Sequence, residues 1–520
     1  MSTFPQPWIS TVSHWQGTNR GPGSLWLHNK TGRLPETADI VIVGAGMMGS
    51  ALSYFLTRPG AHGEGKRIVC LDAKDCGSGA SGRNGGHVGP KTYHKWAQLM
   101  EPYPTGIGCS EEESTWVFQN ERDNLDLVES IIRTEKLDVD FWRGELLETH
   151  HSKEQTETCK RQNAAWMKAR EAVGLQPNPD TSFIDDPEEA ERLSRFKGVT
   201  SVHVRPGGSV HSHKLCSALM RLAIESTASD FSFYSWAPVN GFPAATPSGQ
   251  RVVKTSRGDI LTDRVILCTN AHTPNFFSKD DPLHTHIQPL RGQCALITPP
   301  PTYSGDQSFK HTYNMVDEHY LVQTPSGGIV LGGGLRALIR DGKVKFEDSY
   351  GAVNDSGDSV EPAQTEHLGS FLRDNFVGWG PEGHGEGLTR TWTGILSTVK
   401  DWLPLVGDVP GKTGVSMCAG FAGHGMSRIF AVAQGYSDTL KSGTWDAKLL
   451  PRSFELTAER LKRTADWQAE YEAAQRSAGR QVDPRLVFEE DKYPTEPTNM
   501  VKGDNGAAVE VKIVMTDLRV

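Results

Sequence analysis

Asp39-Ile-Val-Ile-Val-Gly-Ala-Gly-Met-Met-Gly49 decides the fold of this chain. An apolar, β-branched run at 40–43 enters Gly44-x-Gly46-x-x-Gly49, and a helix-forming segment at 50–56 follows at once. Strand, glycine turn and helix in that order form the unit that receives a dinucleotide pyrophosphate. Gly44 makes the turn, Gly46 lets backbone N–H groups approach the phosphates, and Gly49 lets the helix lie close on the strand. Ala45, Met47 and Met48 complete the turn. The helix start then offers unpaired N–H groups and a positive dipole end to the diphosphate.

The next strand, Arg67-Ile-Val-Cys-Leu-Asp72, ends on an acid that can accept hydrogen bonds from an adenosine ribose, with Ala73 beside it. The intervening Thr57-Arg-Pro-Gly-Ala-His-Gly-Glu-Gly65 carries one proline and three glycines and reads as an extended connector.

The bulk properties bound the rest. The chain has 520 residues, so two or more domains are expected. A hydrophobic share of 37% and a mean hydropathy of −0.45 fit a globular protein with a sizeable core. A net charge of −9 with scattered basic residues argues against a nucleic-acid partner. No apolar run reaches the roughly 18 residues of a membrane span, and the first residues lack the pattern of a secretory signal. The eight cysteines form no CxxC pair, which argues against a disulfide framework or a zinc site. His211-x-His213 has metal-like spacing but no third ligand nearby, and fits a helix cap better, so no metal is expected. The cytoplasm is the expected location.

Along the chain, residues 1–36 form a polar arm rich in Gly, Pro and Trp. Residues 111–174 have helical spacing of apolar side chains, interrupted by a strand near 138–147. Gly207-Gly208 reads as a turn before a helix at 214–226. Strands are expected at 231–235, 251–255, 264–268, 293–298, 320–324 and 329–331, loops over 341–387, and a charged helix over 454–473. Alternating α/β and β-rich blocks point to two domains interleaved along the chain.

Further segments carry a resemblance. Gly77-Ser-Gly-Ala-Ser-Gly-Arg-Asn-Gly-Gly-His87 follows the second strand, Ala419-Gly-Phe-Ala-Gly-His-Gly-Met426 lies near the C-terminal end, and Trp392-Thr-Gly-Ile-Leu-Ser-Thr-Val-Lys-Asp-Trp-Leu-Pro-Leu-Val-Gly407 precedes it. Val210-His-Ser-His-Lys-Leu215, Cys268-Thr-Asn-Ala271 and Leu290-Arg-Gly-Gln293 are shorter supporting matches. With the glycine turn, these blocks resemble the FAD-dependent oxidoreductases related to D-amino-acid oxidase over residues 24–440. Ser24-Leu-Trp-Leu27 is similar to an element of the γ-glutamylputrescine-oxidase and fungal-type branch.

The resemblance implies an α/β chain (α+β overall), with a Rossmann-like FAD-binding domain (38–110, 205–285 and 385–445) interleaved with a β-sheet-plus-helices substrate domain (111–204 and 286–384). An arm (1–37) and a C-terminal helical extension and tail (446–520) flank them. It implies FAD contacts at Gly44, Ala45, Gly46, Met47, Met48, Gly49, Asp72 and Ala73, and at Ala80, Ser81, Gly82, Arg83, Asn84, Gly85, Gly86 and His87. Val239, Gly394, Gly423, His424, Gly425 and Met426 complete that set. A glycine-rich loop at 82–89 can lay backbone against a flat ring. A helix opened by Gly423, Gly425 and Met426 would stabilise negative charge on a reduced flavin. Gly394 replaces the cysteine to which some relatives attach flavin, so the FAD is expected to be non-covalent.

The chain departs from the resembling family where a substrate carboxylate is bound. Amino-acid-oxidising members carry an Arg four residues after the equivalent of Trp392, and here that residue is Leu396. Leucine cannot supply a bidentate clamp, so Arg336 or Arg390 would have to. Trp392, Leu396 and Arg336 are the candidate substrate residues, and His424, His87 and Tyr320 the candidate catalytic ones. Each histidine could equally be structural, and Tyr320 a core tyrosine. The expected reaction is oxidation of a carbon next to nitrogen in an amine, secondary amine or modified amino acid. Reoxidation by O2 would give H2O2, in a monomer or homodimer. Oxidation of a hydroxy acid or a biosynthetic intermediate, a nicotinamide enzyme without flavin, and a non-catalytic flavin-binding protein are the alternatives.

Overall fold

The run at 40–43 lies in the strand Thr37–Val43, in the middle of an eight-stranded sheet. It pairs in parallel with Arg67–Leu71 on one side and Gly258–Leu267 on the other. Asp230–Tyr234 and Val415–Ala419 extend the parallel core outward, and Leu405–Asp408 closes one edge antiparallel. Residues 40–43 are buried on both faces, which is why the run is continuous rather than alternating. The computed structural model describes residues 10–477 except 92, 104, 179, 243 and 244, together with 500–502 and 508–510.

The helices Met47–Leu56, Ser212–Ile224 and Ile429–Ser442 share one apolar core with one face of this sheet. The long helix Glu111–Thr134 joins the same core through Val117, Phe118, Leu125 and Val128. Its first turn carries Glu111, Glu112 and Glu113, favourable at a helix N-terminus, and Ser110 caps it by accepting from the Glu113 N–H at 3.1 Å.

A second sheet of nine strands is built on the antiparallel pairing of Ile287–Thr298 with Gly387–Val399. It continues through Ile329–Gly332, Tyr320–Gln323, Thr312–Asn314, Trp142–His150 and Ser201–Ser209 to the short strand His87–Val88, and Ser182–Ile184 pairs with Ser201–Ser209. The two sheets therefore exchange the chain several times. Gly387–Val399, inside the third segment expected to belong with the glycine turn, hydrogen-bonds in this second sheet.

Three local expectations are corrected. Gly207 and Gly208 lie inside the strand Ser201–Ser209, where a Cβ would meet Leu146 Cβ at 2.8 Å or Trp142 O at 2.9 Å, so close strand packing explains them. The stretch 341–387 contains the helix Pro362–Asn375, begun by a proline in its first turn with Glu361 as N-cap. The helix after residue 426 starts at Ile429, following a 3-10 turn at Gly425–Ser427. His211 does cap Ser212–Ile224, its Nδ1 accepting from the Lys214 N–H at 3.2 Å. Among the described residues no helix is long and apolar enough to cross a membrane.

Candidate active site

The C-terminal ends of the parallel strands open into a cavity of about 1060 Å³ that reaches across to the second sheet. Val43, Leu71 and Cys268 line one end, at the place where open α/β sheets bind ligands. Gly44 has φ +104°, and a Cβ there would meet Cys268 O at 2.7 Å. At Gly49 a Cβ would fall 1.8 Å from Gly44 O, so only glycine lets the helix sit this close to the turn. Met47, the first helical residue, donates its N–H to Ser81 Oγ at 2.7 Å, which ties the 80–87 loop to the helix start.

Asp72 closes the same end. Its carboxylate accepts from the Ala45 N–H at 2.7 Å and the Lys74 N–H at 2.8 Å. Burial raises its pKa to about 6 despite these bonds. The acid expected at a ribose thus also fixes the glycine turn.

The 80–87 loop is clamped from behind. Ser13 Oγ donates to the Gly82 carbonyl, Trp392 Nε1 to that of Arg83 at 2.8 Å, and Trp15 Nε1 to that of Asn84 at 2.6 Å. Three consecutive carbonyls are thereby occupied by side chains of the N-terminal arm and the second sheet. The Arg83 guanidinium faces the same way: it is buried, donates to Thr393 O at 2.8 Å and Gln16 Oε1 at 2.8 Å, and lies 3.6 Å from Asp355 Oδ2.

Several expected residues line the cavity: Gly44, Gly46, Met47, Met48, Asp72, Ala73, Ala80, Ser81, Arg83, Asn84, Gly85, His87, Val239, Gly394 and 423–426. Leu396, Arg336 and Tyr320 line it as well. Ala45, Gly49, Gly82 and Gly86 do not; they shape the backbone behind the wall. Two substrate expectations are corrected. Trp392 is fully buried against Trp15, Cys294 and Val330, and its part is to hold the Arg83 carbonyl. Arg390 is exposed and donates to Ser13 O at 3.2 Å, bracing the arm away from the cavity. Arg336 pairs with Glu318 at 3.4 Å.

His87 and His424 both face the cavity. His87 Nε2 donates to Leu321 O at 2.9 Å, which leaves Nδ1 as the acceptor. His424 Nε2 lies 3.0 Å from Glu121 Oε2 and donates to it. Burial pulls both imidazoles down to about 4, so both are neutral at pH 7. Tyr320 packs edgewise under the Gly85 backbone, its hydroxyl 3.2 Å from Cys294 Sγ.

Sequence reasoning missed the group that organises this end. Glu121, wholly buried on Glu111–Thr134, binds His424, the Arg428 guanidinium at 2.7 Å and the Lys91 N–H at 2.6 Å. Burial alone would raise its pKa, but His424 and Arg428 hold it down to about 2. Three residues on, Asn124 caps the helix Ile429–Ser442 from outside, accepting from the Phe430 and Ala431 N–H groups and donating to Met426 O at 3.0 Å. A carboxylate and an amide on an otherwise apolar helix face were the available signal.

The comparisons with known proteins agree with this geometry. The family model described as FAD dependent oxidoreductase (DAO) matches residues 39–438. A probable oxidoreductase OrdL of Rhizobium meliloti is 23% identical over 393 residues, covering 75% of this chain and 79% of that protein. The gamma-glutamylputrescine oxidoreductase of Escherichia coli is 23% identical over 405 residues, covering 75% and 80%. The crystal structure of glycine oxidase from Geobacillus kaustophilus superposes with a TM-score of 0.61 at 17% identity, covering 82% of this chain and 99% of that one. The chain belongs to the DAO family of FAD-dependent oxidoreductases.

Proposed function

We propose that the protein oxidises the carbon next to nitrogen in an amine, a secondary amine or a modified amino acid. The substrate C–H and N–H would be lost to give an imine, with O2 as the final acceptor and H2O2 as product. Water then hydrolyses the imine. The observation that carries the reading is a single cavity in which the glycine turn, the clamped 80–87 loop and two neutral, cavity-facing histidines come together. The relatives named for glycine and gamma-glutamylputrescine, both nitrogen-bearing compounds, support it.

The residues present fit FAD. The glycine turn leaves room for a diphosphate where any Cβ would intrude, and Asp72, Ala73 and Val239 line the end suited to the adenosine half. Gly85, Gly394 and Gly423 keep side chains off the wall suited to a flat ring. When bound, FAD supplies the two-electron acceptor. The chain's own residues do the remaining work. An amine must be unprotonated to lose its hydride, and the Nδ1 atoms of the neutral His87 and His424 are lone-pair acceptors able to hold the free amine through its N–H. Leu396 and Phe421 give the same wall an apolar surface that excludes water.

Peroxide release by the FAD-loaded protein, measured against a panel of primary amines, secondary amines, N-substituted amino acids and 2-hydroxy acids, tests the reading. Turnover confined to nitrogen compounds is expected. Turnover confined to hydroxy acids would overturn it.

A further inference from the structure

Beyond His87 the cavity continues along the second sheet. Leu146, Glu148 and His150 line it from one face of the strand Trp142–His150. Gln98 and Gln155 line it from the helices Tyr93–Met100 and Lys153–Ala172, which pack on each other. Leu146 joins this stretch to the segment after His87, since its Cδ1 would lie 2.8 Å from a Cβ at Gly89. Arg205 is close enough for its charge to act on the His87 imidazole.

Glu148 sets the chemistry of this stretch. Its side chain keeps 24% of its surface open, whereas those of Arg205 and His203 beside it are 2% and 0% exposed. Arg205 Nε and His203 Nδ1 both approach Oε2, at 3.5 and 3.6 Å. Oε1 accepts no hydrogen bond from the described residues. Burial alone would raise the Glu148 pKa, but His203 and Arg205 hold it well below the usual carboxylate range, so the group is a charged acceptor. Gln155 Oε1 is taken by the His151 N–H at 3.0 Å, which leaves the Gln155 NH2 group as a donor. The Gln98 amide makes no hydrogen bond with the described residues.

Charge balance decides what such a stretch can hold. Arg205 already compensates Glu148, and Lys95 adds a positive charge to the same wall. A further ammonium would bring in a desolvated cation without a counter-charge of its own, which is costly. A carboxylate would meet the Glu148 charge directly. A neutral carboxamide suits both needs: its N–H donates to Glu148 Oε1, and its carbonyl accepts from a glutamine NH2 group.

We infer that the Glu148 stretch is a subsite for the far end of the substrate and that it takes an amide, so that the compound oxidised is an amine carrying a carboxamide group away from the reacting carbon. This rests on the amine-oxidation reading and narrows it. Glu148 binds the amide N–H, Gln98 and Gln155 serve its carbonyl, and Arg205 keeps the carboxylate charged and in place.

The test is anaerobic calorimetric titration of the full-length, FAD-loaded protein, its flavin first reduced with dithionite so that no probe turns over. The probes are 5-aminopentanamide, 6-aminohexanamide and 7-aminoheptanamide, each beside the ω-amino nitrile and the α,ω-diamine of the same length. The nitrile accepts a hydrogen bond and donates none. At one length or more the amide should bind about 10-fold or more tightly than the nitrile, the loss expected when a charged acceptor is left unpaired, and more tightly than the diamine. The double variant Glu148→Leu/Arg205→Met removes the acceptor together with its counter-charge, and there the advantage of the amide should vanish at equal flavin loading. The wild-type series decides by itself if that variant does not fold. Four outcomes would overturn the inference: no amide binds, the nitrile matches the amide at every length, the diamine binds most tightly, or the advantage survives in the double variant. Tight amide binding to a protein whose oxidised flavin no amine reduces would instead count against the reaction alone.

Discussion

The Trp15 indole donates to the Asn84 carbonyl at 2.6 Å, across 69 residues of sequence, and so makes the N-terminal arm part of the wall behind the 80–87 loop. Trp15 is 2% exposed, and a Cβ at Gly86 would meet its ring at 2.7 Å. Trp15→Phe keeps most of the packing but leaves a buried carbonyl unpaired, at a cost of about 1–3 kcal/mol. Trp15→Ala should cost about 3–5 kcal/mol. Urea unfolding and FAD retention after desalting should fall together in that order. An unchanged midpoint in both variants would mean the arm does not support the loop.

Glu121 carries a second prediction. Glu121→Gln removes the charge that compensates buried Arg428, and breaking such a pair costs about 3–5 kcal/mol. The variant should be less stable in urea and should lose the fixed position of His424. Its effect should be much larger than that of Glu113→Gln, whose carboxylate lies in the first helical turn and accepts from the Ser453 N–H. Equal effects would contradict the central place given to Glu121.

Acid should unfold the protein through its histidines. His14, His87, His150, His211, His213, His272, His319 and His424 are all pulled down by burial, to about 3 or 4. The unfolded chain takes up these protons near pH 6.5, so it binds more protons than the native state between about 6.5 and 4. Stability is therefore full above about pH 6.5 and is lost as pH falls toward 4. Asp72 acts in the opposite sense: its raised pKa makes the native state bind its proton first between about 6 and 4. The eight histidines outweigh this one group. A urea midpoint that rises on going from pH 7 to pH 5 would contradict the assignment.

The FAD should be released by acid precipitation, giving a colourless pellet and a yellow supernatant. Gly394 offers no nucleophile, and a side chain there would have its Cβ 3.2 Å from Arg83 Cβ. His87 has its Nε2 committed to Leu321 O. A yellow pellet yielding a flavinylated peptide with His87 would contradict this.

The legible parts of the chain were those in which backbone geometry dictates residue type. Gly44, Gly46 and Gly49 announce the turn because a Cβ would collide there, and the 40–43 run announces a doubly buried strand. The 80–87 and 423–426 loops were read from the family resemblance that their glycine patterns carry. What stayed hidden depends on contacts far apart in sequence. Trp392 was expected at the substrate, but its indole is turned to the Arg83 carbonyl; one tryptophan in a strand does not say which face it takes. Lys91 carries no motif, and its backbone N–H meets Glu121, 30 residues away. Glu121 was missed: its one sign in the sequence is a carboxylate on an apolar helix face, and that sign names none of its partners.

Anaerobic titration of the purified protein with primary amines, secondary amines and N-substituted amino acids, followed in the visible flavin bands, tests the central claim most directly. The account predicts a yellow protein that such an amine bleaches stoichiometrically and that air recolours with release of H2O2. A protein that cannot be loaded with FAD, or one that is loaded and stays oxidised with every amine while a hydroxy acid bleaches it, would contradict the account.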